Sequence, residues 1–289
     1  MFETLSRSWE YAKMSYGLAW RNKQLLIFPI ISGIAAILVT ASFFVPLHRM
    51  GALTAWAEAA DQSQGGQVPI SAWITLFCYY VASYFVIVFF NSALVSCAMR
   101  AMQGQPVRIK DGLAMAAKRW HAILCWAIVS AVVGVILRLL ESHKKIGRLV
   151  AALLGTAWTA MTFFVVPIIV IDNRGPFRAI GDSVKTLKST WGTALVGNFS
   201  LGFISFLIFL PVLLLAGLLI WVAINTGAMF VTVMSIAGAI ALIVFVASLG
   251  AAADMVFKAL LFSYATGKEL PEQVQAEEFS YAFRPAEKR

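Results

Sequence analysis

The chain has 289 residues, 60% of them apolar and only 13% charged, and a net charge of +9. Soluble domains carry roughly 25% charged residues, so this composition, with a mean hydropathy of +0.81, excludes an ordinary soluble enzyme and places the chain in a bilayer. Its cations flank the apolar runs instead of lining one face, which fits the positive-inside rule and argues against nucleic-acid binding.

Arg7, Lys13, Arg21 and Lys23 precede the first apolar run, and no convincing small-residue cleavage site follows, so the N-terminus is expected to be retained. Phe2, Leu5, Trp9, Ala12 and Tyr16 recur at helical spacing and predict an amphipathic helix. The run Leu25–Leu47 is long enough to cross a hydrocarbon layer of about 30 Å at about 1.5 Å per residue. His48–Ile70, with Asp61-Gln-Ser-Gln-Gly-Gly66 inside it, reads as a polar connector; a binding lid is the alternative. A second span follows at Trp73–Met102.

The linker Gly104-Gln-Pro106-Val-Arg108 then leads to Asp111 and, nine residues on, Trp120. Glycine can end a helix in the left-handed conformation and proline prevents its continuation, so the pair is a stop signal. Ile109, Leu113, Ala116 and Trp120 define a short amphipathic helix. Spans three and four are Ala122–Leu140 and Leu149–Ile171, separated by Glu141 and the cations Arg138, Lys144, Lys145 and Arg148.

The same linker grammar returns in Gly175-Pro176-Phe-Arg178, with Asp182 and, again nine residues on, Trp191. Phe177, Ile180, Val184, Leu187 and Trp191 supply its apolar face. Spans five and six are Thr193–Ile224 and Met229–Tyr264, and a third stop follows at Gly267 with Pro271. Pro167 and Pro211, inside spans, free the carbonyls of Phe163 and Leu207, either for kinks repaired by neighbours or for ion coordination. The tail carries Glu277, Glu278 and Glu287 among Phe279, Tyr281 and Phe283, and docking onto the bundle is its default role.

Counting Lys and Arg gives 4 in the N-terminal segment, 5 in Arg100–Trp120, 4 in Asp172–Trp191 and 4 in the tail. Both termini are therefore expected in the cytoplasm. The fold expected is an all-α membrane protein of six transmembrane helices, arranged as three parallel helical-hairpin repeats at residues 1–104, 105–175 and 176–267, with a tail at 268–289. An amphipathic interfacial helix precedes each repeat, with Arg108, Lys110, Trp120, Arg178, Lys185, Lys188 and Trp191 as its lipid contacts; docking of a partner protein would use the same pattern.

Thirteen residues before Gly104, Gly175 and Gly267 stand Asn91, Thr162 and Asp254. Bands of small residues surround them, including Ser92, Ala93, Gly155, Ala157, Gly250 and Ala251, so the even-numbered spans are expected at the centre. Lys258, four residues after Asp254, completes a favourable helical ion pair. With Asn198, these residues form an intramembrane polar layer that reads either as an ion or substrate path or as packing glue.

Cys78, Cys97 and Cys125 lie in apolar segments, and His48, His121 and His143 have no ligand spacing, so neither disulfide, metal nor cofactor is expected. No HExxH, GxSxG or phosphate-binding loop occurs, and Ser205 has no base at a recognisable spacing.

Val166-Pro167, Gly175-Pro176 through Ser183 to Trp191-Gly192, Asn91-Ser-Ala-Leu94 to Gly104, and Ala259-Leu260 to Tyr264-Ala265-Thr266-Gly267 carry a resemblance to an uncharacterised family of six-span prokaryotic membrane proteins. That family is distantly similar to the membrane domain of some glycerophosphodiester phosphodiesterases. The chain departs from it in having Gly181-Asp182 where a basic pair is expected and Ser263 where an arginine is expected. The resemblance implies a six-span fold and no established activity.

The function expected is non-enzymatic: a structural or lipid-organising protein of the plasma membrane, the inner membrane in a bacterium, with lipids and a second copy or another membrane protein as partners. A transporter or channel using the Asp254 layer is the alternative, and an intramembrane lipid enzyme comes third.

Overall fold

The computed structural model describes residues 13–62, 69–141, 144–226 and 229–267. Among these every regular element is helical, without a strand. The elements are α1 (residues 13–21), a 3-10 turn at Lys23–Leu26, α2 (Ile27–Arg49), α3 (Ala52–Gln62), α4 (Ile70–Met102), α5 (Ile109–Lys118), α6 (Trp120–Glu141), α7 (Lys144–Met161), α8 (Val165–Ile171), α9 (Pro176–Asn225) and α10 (Met229–Ala265). Six stretches are long and apolar enough to cross a membrane: Lys23–Arg49, Ile70–Met102, Trp120–Glu141, Gly147–Ile171, Ser205–Asn225 and Met229–Ala265. Most of the expected N-terminal amphipathic stripe, His143 and the tail from residue 268 onward lie outside the described residues.

The helices end where the backbone turns left-handed. Gly104 has φ +67° and Gly267 φ +64°, as expected of helix stops. At Gly104 the Gln105 amide donates to the Arg100 carbonyl at 2.9 Å and the Gly104 amide to Ala101 at 3.2 Å, the paired capping bonds that satisfy a helix's last carbonyls. Gly175 does not fill this role after α8; Asn173 does, with φ +54°. Asparagine is among the few residues other than glycine that tolerate this conformation, and it stands where the cap requires it, two residues beyond Ile171.

Two expected linkers differ from the sequence reading. Residues 52–62, expected as part of a polar connector, form α3, because Ala-Leu-Thr-Ala-Trp-Ala-Glu-Ala-Ala is rich in the strongest helix former. The expected boundary between an interfacial helix and the fifth span is also absent: α9 is one helix of 50 residues. Ser189-Thr190-Trp191-Gly192 holds no proline, and a lone glycine costs a helix only about 1 kcal/mol. At about 1.5 Å per residue α9 extends about 75 Å, well beyond the hydrocarbon layer of about 30 Å.

The chain divides into two compact units. The first comprises residues 1–30, 93–113 and 185–289, the second residues 31–92 and 114–184. In the first unit the Lys23–Leu26 turn packs on α10 and buries Leu25 and Leu26. Trp20 meets Phe245 edge-on with ring centroids 6.1 Å apart. The linker half of α10 supplies the core through Ala252, Ala253, Val256, Phe257 and Leu260. Lipid offers no hydrophobic drive to pair helices, so side-chain packing carries this contact.

The tightest approach in that unit is Gly112 of α5 against α4. A methyl group at Gly112 would lie 2.7 Å from the Ala93 carbonyl oxygen, 2.6 Å from Cys97 Sγ and 3.0 Å from Phe28 Cζ. Arg100 and Asp111 add an ion pair at 3.2 Å, and Cys97 Sγ donates to the Arg108 carbonyl at 3.5 Å. In the second unit Trp126 of α6 stacks on Trp158 of α7 at 5.6 Å and 14°, while Gly134 faces Tyr80 of α4. Among the described residues burial is heaviest in α4, α8 and α10, in the even-numbered spans, and α6, the third span, also buries Ile123, Trp126, Ala127, Ser130 and Ala131. Bulky aromatic contacts between α6 and α7 achieve there what small residues achieve in α4 and α10.

Candidate functional site

Two polar arrangements stand out, one in each unit. In the first, Lys258 Nζ donates to Asp254 Oδ2 at 2.7 Å, and both side chains are half-buried. One turn before Asp254, Gly250 lines an open groove of ≈ 320 Å³ together with Tyr16, Ser205, Phe209, Val246 and Ala247. The Tyr16 and Ser205 hydroxyls are hydrogen-bonded at 2.7 Å across 189 residues of sequence. Burial raises the Tyr16 pKa above its ordinary 10.0, the Ser205 hydrogen bond offsets part of the rise, and the Asp254 carboxylate adds to it. The groove therefore combines a hydrogen-bonded hydroxyl pair with apolar walls, and Asp254 follows Gly250 by one turn of α10. Ser205 is paired there with a phenol instead of a base.

Sequence reasoning missed the Tyr16 and Ser205 partnership because nothing local marks it. Tyr16 belonged to an amphipathic stripe, and Ser205 was one of several serines in spans. The expected polar layer divides between the units: Asn91 and Thr162 belong to one, Asp254 and Lys258 to the other. Thr162 Oγ1 donates to the Trp158 carbonyl of its own helix at 2.8 Å, and Asn91 is half-buried just before the buried residues Ser92–Val95. The Asn198 and Trp191 side chains lie outside the described residues.

The second arrangement begins at Pro167. Proline has no N–H and its ring opposes the carbonyl four residues earlier, and here the span separates into α7, ending at Met161, and α8, starting at Val165. At the break the Phe164 amide is directed to another helix. Ser183 of α9 accepts it at 3.0 Å, with Phe164 and Ser183 both fully buried. The linker helix that follows the span thus repairs the span's own fault. Nearby, the Arg119 guanidinium donates to the Asn173 side-chain oxygen, and Arg174 approaches Asp182 at 3.9 Å.

Ser183 also fixes which side of α9 faces the protein. Ala179, Ser183 and Leu187 are buried, whereas Phe177 is 75% exposed. The expected apolar face beginning at Phe177 is therefore rotated: small residues turn inward, and Phe177 shares the outer side with Arg178, Lys185 and Lys188, all exposed. In α5, Gly112 and Ala116 turn inward while Arg108 before it, Lys110 and Lys118 are exposed. Trp120, 45% exposed, lies over His121 at 3.7 Å. Exposed cations beside exposed aromatic rings are the pattern of a membrane interface. Among the described residues no metal-ligating cluster of three side chains gathers.

Six apolar stretches long enough to span, with the backbone break in the fourth bridged by a hydroxyl of the next helix, define a multi-pass α-helical membrane protein. Residues 70–269, every span after the first, match DUF6159, a family of unknown function, and the chain belongs to that family. No curated protein matches the chain.

Proposed function

We propose that the protein is a non-enzymatic organiser of lipid at the cytoplasmic face of the plasma membrane, the inner membrane in a bacterium. In this reading its spans form three parallel hairpin repeats, with both termini in the cytoplasm. The observation that carries it is the outward set of Arg108, Lys110, Arg178, Lys185 and Lys188, exposed on helices whose opposite sides are buried by Gly112, Ala116, Ala179 and Ser183. Each cation near an anionic surface contributes about 1 kcal/mol of attraction. The test is reconstitution into vesicles of mixed anionic and zwitterionic phospholipid, followed by native mass spectrometry of retained lipid. Arg178→Gln, Lys185→Gln and Lys188→Gln together are expected to lower anionic retention several-fold. Unchanged retention in a folded triple variant sinks the proposal.

A second reading, transport of a small polar solute or ion, is favoured by the groove at Tyr16 and Ser205 beside Asp254 and Lys258. It expects flux that depends on pH and is lost in Asp254→Asn with assembly intact. Absence of flux at two pH values removes it.

A further inference from the structure

The end of the second unit remote from its linkers holds a feature that neither reading uses. There α2, α3 and α4 border a pocket of ≈ 280 Å³. Phe43 and Leu47 come from α2, Leu53 and Trp56 from α3, Trp73 and Leu76 from α4, and among the described residues Arg138 of α6 is its one charged residue. Leu53 and Trp56 are half-buried while Thr54, Ala55, Ala57 and Glu58 are exposed, so α3 turns its apolar side to the pocket.

The two hydroxyl groups lining it are already engaged. Thr75 Oγ1 donates to the Ser71 carbonyl at 2.8 Å. Thr40 Oγ1 donates to the Ala36 carbonyl at 2.8 Å, so in the 3.3 Å contact between Thr40 and Tyr79 it is the Tyr79 hydroxyl that donates. With these groups satisfied, the walls favour an apolar chain over a polar solute.

Arg138 differs from the rest of the lining. Its side chain is 64% exposed and touches Glu141 Oε2 at 3.1 Å. An exposed pair of this kind holds weakly, and a guanidinium has several donors of which this contact uses one. A phosphate matches that donor fork better than a single carboxylate oxygen does. An apolar pocket with a cation at its edge is therefore complementary to an anionic head carrying an apolar tail.

We propose that this pocket seats one acyl chain of an anionic phospholipid, whose phosphate is held by Arg138 in place of Glu141. The site shares no residue with the cations of α5 and α9, so either proposal can fail without the other.

The test uses the full chain in nanodiscs containing phosphatidylglycerol or phosphatidylcholine with a photoactivatable acyl chain, and maps the labelled peptides. Labelling at Leu53–Trp56 and Trp73–Tyr79 is expected to be enriched with phosphatidylglycerol. Arg138→Gln reduces that enrichment roughly three- to tenfold, the loss of a charge-assisted contact, and Arg138→Lys retains part of it. Ala72→Phe, which fills the pocket, lowers labelling there by both lipids. Labelling at Ile37 and Leu38, exposed on α2, stays constant and reports an intact fold. Equal labelling by the two lipids overturns the proposal, as does enrichment that survives Arg138→Gln or pocket labelling that survives Ala72→Phe.

Discussion

Replacing Gly112 with alanine is expected to destabilise the protein although it improves local helix propensity. The substitution gains about 1 kcal/mol in an isolated helix. Against that, the new methyl lies 2.6 Å from Cys97 Sγ, 2.7 Å from the Ala93 carbonyl oxygen and 3.0 Å from Phe28 Cζ. The sulfur can rotate, but the Ala93 carbonyl belongs to the α4 backbone and moves only if the whole crossing opens. Overpacking of this kind costs roughly 1–3 kcal/mol and more where backbone must shift, so the net effect is a loss of about 2 kcal/mol. For a chain of this size that lowers the melting temperature by roughly 4–8 °C. Thermal unfolding in one detergent, followed by intrinsic fluorescence, measures it against Gly181→Ala. Gly181 is a helical glycine with nothing within 4 Å of its added methyl, and the same change there is expected to be neutral or mildly stabilising. Cys97→Ala in the Gly112→Ala background recovers part of the loss and not all of it. If Gly112→Ala melts at or above the parent temperature, α5 does not cross α4 at backbone contact.

Two further outcomes follow from the buried polar groups. Ser183→Ala leaves the Phe164 amide without its partner in a buried position and is expected to cost about 1–3 kcal/mol, read as a lower melting temperature; an unchanged value refutes the repair role. Tyr16, whose pKa is raised above 10.0, keeps its proton more tightly folded than unfolded, so its contribution to stability is present below pH 10 and is lost as pH rises through the folded value. Phenolate absorbance recorded for the parent and for Tyr16→Phe should differ only above pH 10, and a difference appearing below it contradicts the burial of this phenol.

The spans were legible from sequence because crossing a bilayer demands length and apolarity, and both are visible without knowing any contact. Gly104 and Gly267 were legible as stops because only a few residues accept positive φ. What was hidden depended on rotation or on distance. One residue turns a helix by about 100°, so choosing Phe177 or Ala179 as the inner side of α9 cannot be settled by hydrophobicity when small residues win the close contact. Asn173 was hidden for a related reason: glycine is the commoner left-handed residue, and Gly175 stood two positions away. The α3 helix had a signal in its alanines, obscured by the polar Asp61-Gln-Ser-Gln that follows. The Tyr16 to Ser205 bond had none, since it joins residues 189 apart.

The Phe164 to Ser183 bond also imposes an order on biosynthesis. The ribosome delivers the broken span first, and the hydroxyl that accepts the Phe164 amide comes 19 residues later. The fourth span therefore gains its bond to α9 only once translation has passed the next linker, and a nascent chain ending between Ile171 and Ser183 has not yet made that tie between span and linker helix.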